Sequence, residues 1–417
     1  MAKIVITGNG PLKGQLTVHG AKNAALPHLA ASILAQEPVQ FSNMPRVADI
    51  ETMCTLLEAM GLGCERSGSA IEVLAKPITS HVAPYELVKM MRASILVLGP
   101  LLARLGKAQV ALPGGCAIGA RPVDLHLKGL EAMGAEISLE HGYIDARCSR
   151  LQGADIYFEK VSVTGTENLM MAATLAEGTT HLRNAAREPE VVDLAELLTK
   201  MGAKIEGAGS DHILIHGVSG LSGCAHEVIP DRIEAGTYIC AAAMTRGHLR
   251  VQRCRPDHLE AFLDTLNRMG VPFETGADWV EVLPHQGLKA VDVQTHPHPG
   301  FPTDIQAQLM ALATQAEGRS FITENIFENR FMHAVELQRM GAKIKLEGKH
   351  AIVSGPTQLS GAEVRATDLR ASACLLVAAL CAEGQTIIED IHHLDRGYEA
   401  IDQQLKQAGA IIERQVD

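Results

Sequence analysis

LEAMG (57–61), LEAMG (130–134), LTKMG (198–202), LNRMG (266–270), LQRMG (337–341) and LKQAG (405–409) are six versions of one phrase, and they decide how this chain folds. Their glycines stand 73, 68, 68, 71 and 68 residues apart. Self-similarity at a nearly fixed interval is the signature of a repeated structural unit. Each glycine suits the end of a helix, where a left-handed residue is needed to turn the chain away. A short strand-like segment follows, such as AKIEG (203–207) or AKIKL (342–346).

Upstream of each phrase lies a second predicted helix, rich in small and apolar residues, over 23–35, 93–104, 167–176, 234–245, 305–316 and 371–382. Three of these run into Ala-Glu-Gly (176–178, 316–318, 382–384), two of them followed by the alternating strands TTHLRN and QTIIED. A Leu-x-Gly element opens a last strand at Leu151, Leu221 and Leu359. The sixth copy stops at Ile411-Ile412-Glu413 without one, whereas Leu12-Lys13-Gly14 has no repeat of its own. Residues 1–21 are therefore expected to complete the sixth unit. The fold class that follows is α/β, with two similar domains of three βαβαββ-type units around a cleft. One domain spans 22–229; the other joins 1–21 to 230–417.

The repeat sets polar residues at equivalent places before the first helix of each unit: Lys22, Arg92, Lys160 with Ser162, Asp231, Asp304, and Asp368 with Arg370. Helix N-termini offer unpaired N–H groups and the positive end of the dipole, so they suit anionic ligands. Arginines 92, 121, 330, 370 and 396 sit in apolar or turn-like contexts instead of charge-laced ones. Several guanidiniums gathered at one site favour a ligand carrying phosphate and carboxylate.

The stretch LPGGCAIGARPVDLH (112–126) has three glycines around Cys116 and reads as a surface loop. Arg121 nearby favours the thiolate of Cys116, which fits that cysteine for proton transfer. Asp304 follows the proline-rich THPHPGFPT (295–303), which cannot be helical and delivers the carboxylate rigidly. His296, His298 and the pair His392-His393 lack a matching Cys or His cluster, so no metal and no cofactor are expected.

Bulk properties agree. With 417 residues, 47% hydrophobic and 20% charged, the chain is long enough for two cores. A net charge of −11 and only 3% aromatic residues argue against a nucleic-acid or membrane-surface binder. Nine scattered cysteines without C-x-x-C pairs fit free thiols in a reducing, cytoplasmic setting. The N-terminal residues lack the pattern of a secretory signal.

Nine stretches bring a resemblance into view: GAKNAALP (20–27), MRAS (91–94), LPGGCAIGARPVDLH (112–126), AAREPEVVD (185–193), PDRIEAGT (230–237), FPTDIQAQ (301–308), FENRFMH (327–333), TDLRAS (367–372) and DRGYE (395–399). With them the chain resembles the enolpyruvyl transferase family over nearly its whole length, in particular the members acting on UDP-N-acetylglucosamine. The resemblance implies an inside-out α/β barrel and transfer of enolpyruvate from phosphoenolpyruvate to the 3'-hydroxyl of that sugar nucleotide, releasing phosphate. It also implies a place in peptidoglycan synthesis and inactivation by the epoxide fosfomycin. By this resemblance Lys22, Arg121 and Arg396 hold the substrate phosphate, Asn23 also contacts phosphoenolpyruvate, and Arg330 and Arg370 take its carboxylate. Arg92, the run Arg121, Pro122, Val123, Asp124 and Leu125, and the run Lys160, Val161, Ser162 and Val163 hold the nucleotide sugar, with Asp304 and Ile326; Asp368 joins the binding set. Asp304 is the expected base and Cys116 the expected acid.

One departure stands out: Thr164-Gly165 replaces the family's commoner Gly-Ala, placing an extra side chain beside the expected uridine pocket. The alternative activity is transfer of the same group to shikimate 3-phosphate, which would not require GGCAIGAR. A non-catalytic repeat scaffold would give Cys116, Asp304 and the arginines no reason to recur at unit junctions.

Overall fold

The computed structural model describes residues 2–112 and 123–416, so Cys116, Arg121 and Pro122 lie outside the described residues. The chain forms two compact units, one of residues 20–112 with 123–229 and one of residues 2–19 with 230–416. Inside the first unit its two ends are tied together by Ala21 N–H, at the start of the helix Lys22–Ala31, donating to Ile229 O at 2.7 Å. In the second unit Asp231 N–H donates to His19 O at 2.8 Å.

Each unit holds three repeats, and each repeat contributes an inner helix, an outer helix and a four-stranded sheet (five-stranded in one case). The inner helices are Lys22–Ala31, Leu98–Leu105, Val163–Ala173, Arg232–Met244, Thr303–Ala313 and Leu369–Ala379. Most are largely apolar all round because they are covered all round: every residue of Arg232–Met244 is buried, whereas Leu98–Leu105 leaves Ala103, Arg104 and Leu105 half-buried. The outer helices are amphipathic instead. Glu260–Met269 buries Phe262, Leu263, Leu266 and Met269, a stripe with helical spacing, and leaves its acids and Arg268 outward. All six glycines of the repeated phrase have positive φ, between 84° and 107°, which any other residue would adopt at a cost.

The sheets correct one sequence expectation. The strand that follows Leu-x-Gly does not finish its own repeat but crosses to the next one. There it lies parallel to the strand after the inner helix. Asp155–Tyr157 pairs with Thr179–Arg183, and Glu363–Arg365 with Gln385–Glu389. The rule is circular within each unit. Ala225–Glu227, from the third repeat, pairs with Val39–Ser42 of the first; Lys13–Thr17 pairs with His248–Gln252 of the fourth. So the Leu12-Lys13-Gly14 strand belongs to the fourth repeat. It is Ala2–Thr7 that completes the sixth, between Gln385–Glu389 and Ile411–Val416.

The glycine of Leu-x-Gly has a steric reason at three of these crossings. A Cβ on Gly153, Gly223 or Gly361 would stand 2.2, 2.1 or 2.3 Å from a backbone carbonyl oxygen of Thr179, Pro38 or Gln385. Backbone cannot yield as a flexible side chain can. We expect Gly361→Ala to cost about 2 kcal/mol and lower Tm by about 4–8 °C, by overpacking. Thermal and urea unfolding would check this.

Candidate active site

In the unit of residues 2–19 and 230–416, the polar groups gather at the N-terminal ends of three inner helices. Asp231 caps Arg232–Met244, its carboxylate accepting from Ile233 N at 2.8 Å and Glu234 N at 3.1 Å. Asp368 caps Leu369–Ala379 in the same way, accepting from Arg370 N and Ala371 N at 2.8 and 3.1 Å. Asp304 lies one step inside, as the second residue of Thr303–Ala313. Its two oxygens are taken by two arginines. Arg330 Nη2 donates to Oδ1 at 2.8 Å and Arg370 Nη2 to Oδ2 at 2.9 Å.

Both guanidiniums are almost fully buried, and each lies over a ring: Arg330 over Phe327 and Arg370 over Tyr398. Tyr398 is itself fixed, its hydroxyl 2.9 Å from Thr237 Oγ1 and within reach of Gln308. Burial opposes ionisation of Asp304, but Arg370 and Arg330 outweigh it and hold the carboxyl well below the usual carboxylate range. Asp231 moves the other way, because its burial prevails over the charge of Arg370.

Sequence reasoning missed the residue that orients this corner. Glu324 is buried and accepts from Thr295 Oγ1 (2.8 Å), Thr303 Oγ1 (2.9 Å), Ile326 N (2.8 Å) and Phe327 N (3.2 Å). It therefore ties the first residue of Thr303–Ala313 to the turn carrying Ile326, which is 37% exposed. Arg396 ends the short 3-10 helix Ile391–Arg396 and is half-buried.

In the unit of residues 20–112 and 123–229, Lys22 is the first residue of its inner helix and is buried, with Nζ donating to Asp49 Oδ2 at 3.1 Å. Asn23 beside it is half-buried. Arg92 opens the 3-10 helix Arg92–Val97 that leads into Leu98–Leu105. Lys22, Arg92 and Asp304 thus sit within their helices, not just before them. Ser162 is a cap as expected: its hydroxyl accepts from Gly165 N at 3.1 Å, opening Val163–Ala173. Lys160 and Asp124 are exposed, and Val123, Leu125, Val161 and Val163 are half-buried.

The unusual Thr164 has a partner in place. Its hydroxyl lies 3.3 Å from His126 Nε2, and Asn168 Nδ2 donates to His126 Nδ1 at 2.9 Å. The second contact makes Nδ1 the acceptor, so Nε2 carries the proton toward Thr164. Burial and the charge of Arg92 push His126 down to about 4, so it is neutral at physiological pH.

Eight cysteines are described and all are free. Burial raises the thiols of Cys148, Cys224, Cys240, Cys254, Cys374 and Cys381, with Cys254 and Cys381 reaching about 12. Such thiols are poor nucleophiles near neutral pH. Among the described residues, neither His296 with His298 nor His392 with His393 joins a three-ligand group.

In the unit of residues 2–19 and 230–416, helix N-termini with two buried arginines and a locked carboxylate suit small anions, and relatedness identifies the class. The chain belongs to the enolpyruvyl transferase family: the family model of EPSP synthase (3-phosphoshikimate 1-carboxyvinyltransferase) matches residues 6–405. It is thus a transferase with the inside-out α/β fold of that family. More particularly, it is 59% identical over 418 residues to the UDP-N-acetylglucosamine 1-carboxyvinyltransferase of Koribacter versatilis (strain Ellin345), with 99% of this chain and 96% of that protein covered. This relative favours the UDP-N-acetylglucosamine reading over the shikimate one. Among solved structures, the enolpyruvyl transferase NikO from Streptomyces tendae superposes with a TM-score of 0.90 at 28% identity, over 100% of this chain and 99% of that one. EPSP synthase from Acinetobacter baumannii shares the fold, with a TM-score of 0.77 at 19% identity and full coverage of both chains.

The arginine lock has a pH consequence. A carboxylate depressed in the folded state adds stability that is present above its unfolded value, near pH 4, and is lost as pH falls through the lower folded value. Asp304→Asn leaves two buried guanidiniums without their counter-charge and should cost about 3 kcal/mol at pH 7. The gap from wild type should begin to narrow below about pH 4, where Asp304 of the unfolded chain takes up a proton that the folded carboxylate does not. Urea unfolding at pH 7 and pH 3.5 would check both the size and the trend.

Proposed function

We propose that this protein transfers the enolpyruvyl group of phosphoenolpyruvate to the 3'-hydroxyl of UDP-N-acetylglucosamine, releasing phosphate, as the committing step of peptidoglycan synthesis in the cytoplasm. The observation that carries the reading is 59% identity, over 99% of the chain, to a relative bearing that activity in its name. The buried pair Arg330 and Arg370 supports it, since a planar carboxylate is what two converging guanidiniums bind.

The chemistry is addition followed by elimination. The sugar oxygen attacks C2 of the enol phosphate while its proton passes to a base and C3 receives a proton from an acid. The resulting tetrahedral phosphate then loses a proton from C3, the C2–O bond to phosphate breaks, and the double bond returns. Lys22, Arg121 and Arg396 offset the phosphate charge throughout; Asn23 contacts the same substrate. Arg92, Pro122, Val123, Asp124, Leu125, Lys160, Val161, Ser162, Val163, Ile326 and Asp368 complete the binding set by resemblance.

Asp304 fits the base role under one condition. Held by two arginines, its carboxylate is too weak a base to take a proton from an alcohol. Phosphoenolpyruvate removes the obstacle if its own carboxylate engages Arg330 and Arg370. Asp304 then faces a carboxylate of like charge and its proton affinity rises. The base is thereby armed only when its substrate is present. Cys116 serves as the acid in this reading.

Phosphate release from phosphoenolpyruvate, with UDP-N-acetylglucosamine or with shikimate 3-phosphate as acceptor, tests the activity. Turnover with the sugar nucleotide alone is expected; turnover with shikimate 3-phosphate alone would overturn the reading. Asp304→Asn should lower turnover by about 10²-fold or more, the range typical of a lost general base. Fosfomycin should label Cys116 alone by opening its epoxide, and Cys116→Asp should abolish labelling while retaining part of the activity. Peptide mapping by mass spectrometry reads out the labelled position, and a label on any other cysteine would move the acid role elsewhere.

A further inference from the structure

His28, Asp193 and His226 come together in the core of the unit of residues 20–112 and 123–229, with only 0%, 3% and 4% of their surfaces exposed. His226 Nε2 lies 2.8 Å from Asp193 Oδ1, and His28 Nε2 lies 3.3 Å from Asp193 Oδ2. The three donor atoms are all within 4.8 Å of one another. Ligand atoms about 2.0–2.1 Å from a tetrahedral ion stand about 3.3 Å apart, so a small adjustment would seat one.

A second observation points to a missing occupant. Among the described residues neither ring nitrogen of His28 finds a hydrogen-bond partner, although the ring is wholly buried, stacked with Phe41 and perpendicular to His226. An imidazole left like this costs free energy that an apolar residue would not. Burial holds His28 down to about 4, so the ring is neutral. A neutral imidazole offers one lone pair, on the nitrogen that carries no proton, and that is what a metal ion takes.

The place in the fold explains what an ion would do. His28 belongs to the inner helix of the first repeat, Asp193 to the outer helix Pro189–Lys200 of the third, and His226 to the strand Ala225–Glu227. That strand is the one by which the third repeat closes onto the first. Asp193 Oδ2 also accepts from Ile229 N at 3.3 Å, just beyond it. We infer that His28, Asp193 and His226 form a structural site for a late first-row divalent cation such as Zn²⁺, clamping the seam where the ring of three repeats closes. Two imidazoles and a carboxylate suit that class of metal better than magnesium or calcium.

One group opposes the ion. Lys200 Nζ is 2.9 Å from His226 Nδ1 and must give up that contact, because the metal-bound ring carries its proton on Nδ1. Lys200 is exposed, so its ammonium can withdraw to water.

The test uses full-length protein without a histidine tag, stripped with chelator and titrated with Zn²⁺ by calorimetry and with Co²⁺ by visible absorption. One ion per chain is expected, with a rise in Tm of about 5 °C at saturation. His28→Phe, which keeps an aromatic ring beside Phe41, should abolish binding while leaving the protein folded and active. Lys200→Met should tighten binding about tenfold by removing the opposing charge. Absence of stoichiometric binding, or binding that survives His28→Phe, would overturn the site. So would X-ray absorption showing sulfur ligands, which would place the metal among the cysteines.

Discussion

Every repeat in this protein lacks one strand that it must take from a neighbour. That exchange is the constraint on which the rest depends. A sheet left with an unpaired edge beside its inner helix would expose both main-chain groups and apolar surface. The parallel strand donated by the preceding repeat covers it, and in return each repeat is committed to its place in the order. Three such donations close a ring, so no repeat of a unit can be removed without opening two seams. The glycines Gly153, Gly223 and Gly361 at the start of donated strands follow from how closely two backbones approach there. They are a consequence of the exchange and not a device for flexibility.

Closing the ring has an electrostatic result. Most of the inner helices are shut away along their length, and their ends are the places where polar groups can meet water or ligand. At the N-terminal ends the dipole favours negative charge, so Ser162, Asp231 and Asp368 serve as caps and Asp304 sits in the first turn. Arg330 and Arg370 then have two reasons to lie there: the local carboxylate, and whatever anion replaces it. A site of this kind holds its cations in place before the ligand arrives, which lowers the cost of ordering them on binding.

The sequence makes some of this legible and hides the rest for definite reasons. The repeated glycines are readable because a left-handed helix end is a local requirement that one residue type satisfies. The inner-helix boundaries are displaced by a few residues because helices buried all round have no polar face to mark where they begin. Lys22, Arg330 and Arg370 can be found as charges in apolar surroundings. Asp49 cannot, since an acid in the first turn of an outer helix looks like ordinary dipole compensation. Glu324 and Asn168 are equally silent, because each acts by collecting hydrogen bonds from segments far away in the chain. Tyr398 and His126 lie inside stretches that the resemblance picks out, DRGYE and LPGGCAIGARPVDLH, yet only their contacts reveal what they hold. The partner of each Leu-x-Gly strand is a non-local fact, so its assignment to its own repeat was the natural error.

The strand Ala2–Thr7 lies between Gln385–Glu389 and Ile411–Val416, with Ile4 and Ile6 wholly buried. During synthesis this segment is made long before its partners. The unit of residues 20–112 and 123–229 can condense while the ribosome is still at work, because its described strands follow one another without a contribution from the rest of the chain. The segment Ala2–Thr7 must wait as an apolar, unpaired strand until some four hundred further residues have been added. Its pairing is thus a late event by topology. The period of greatest exposure to aggregation and to chaperones falls on the unit that contains Asp304, Arg330 and Arg370.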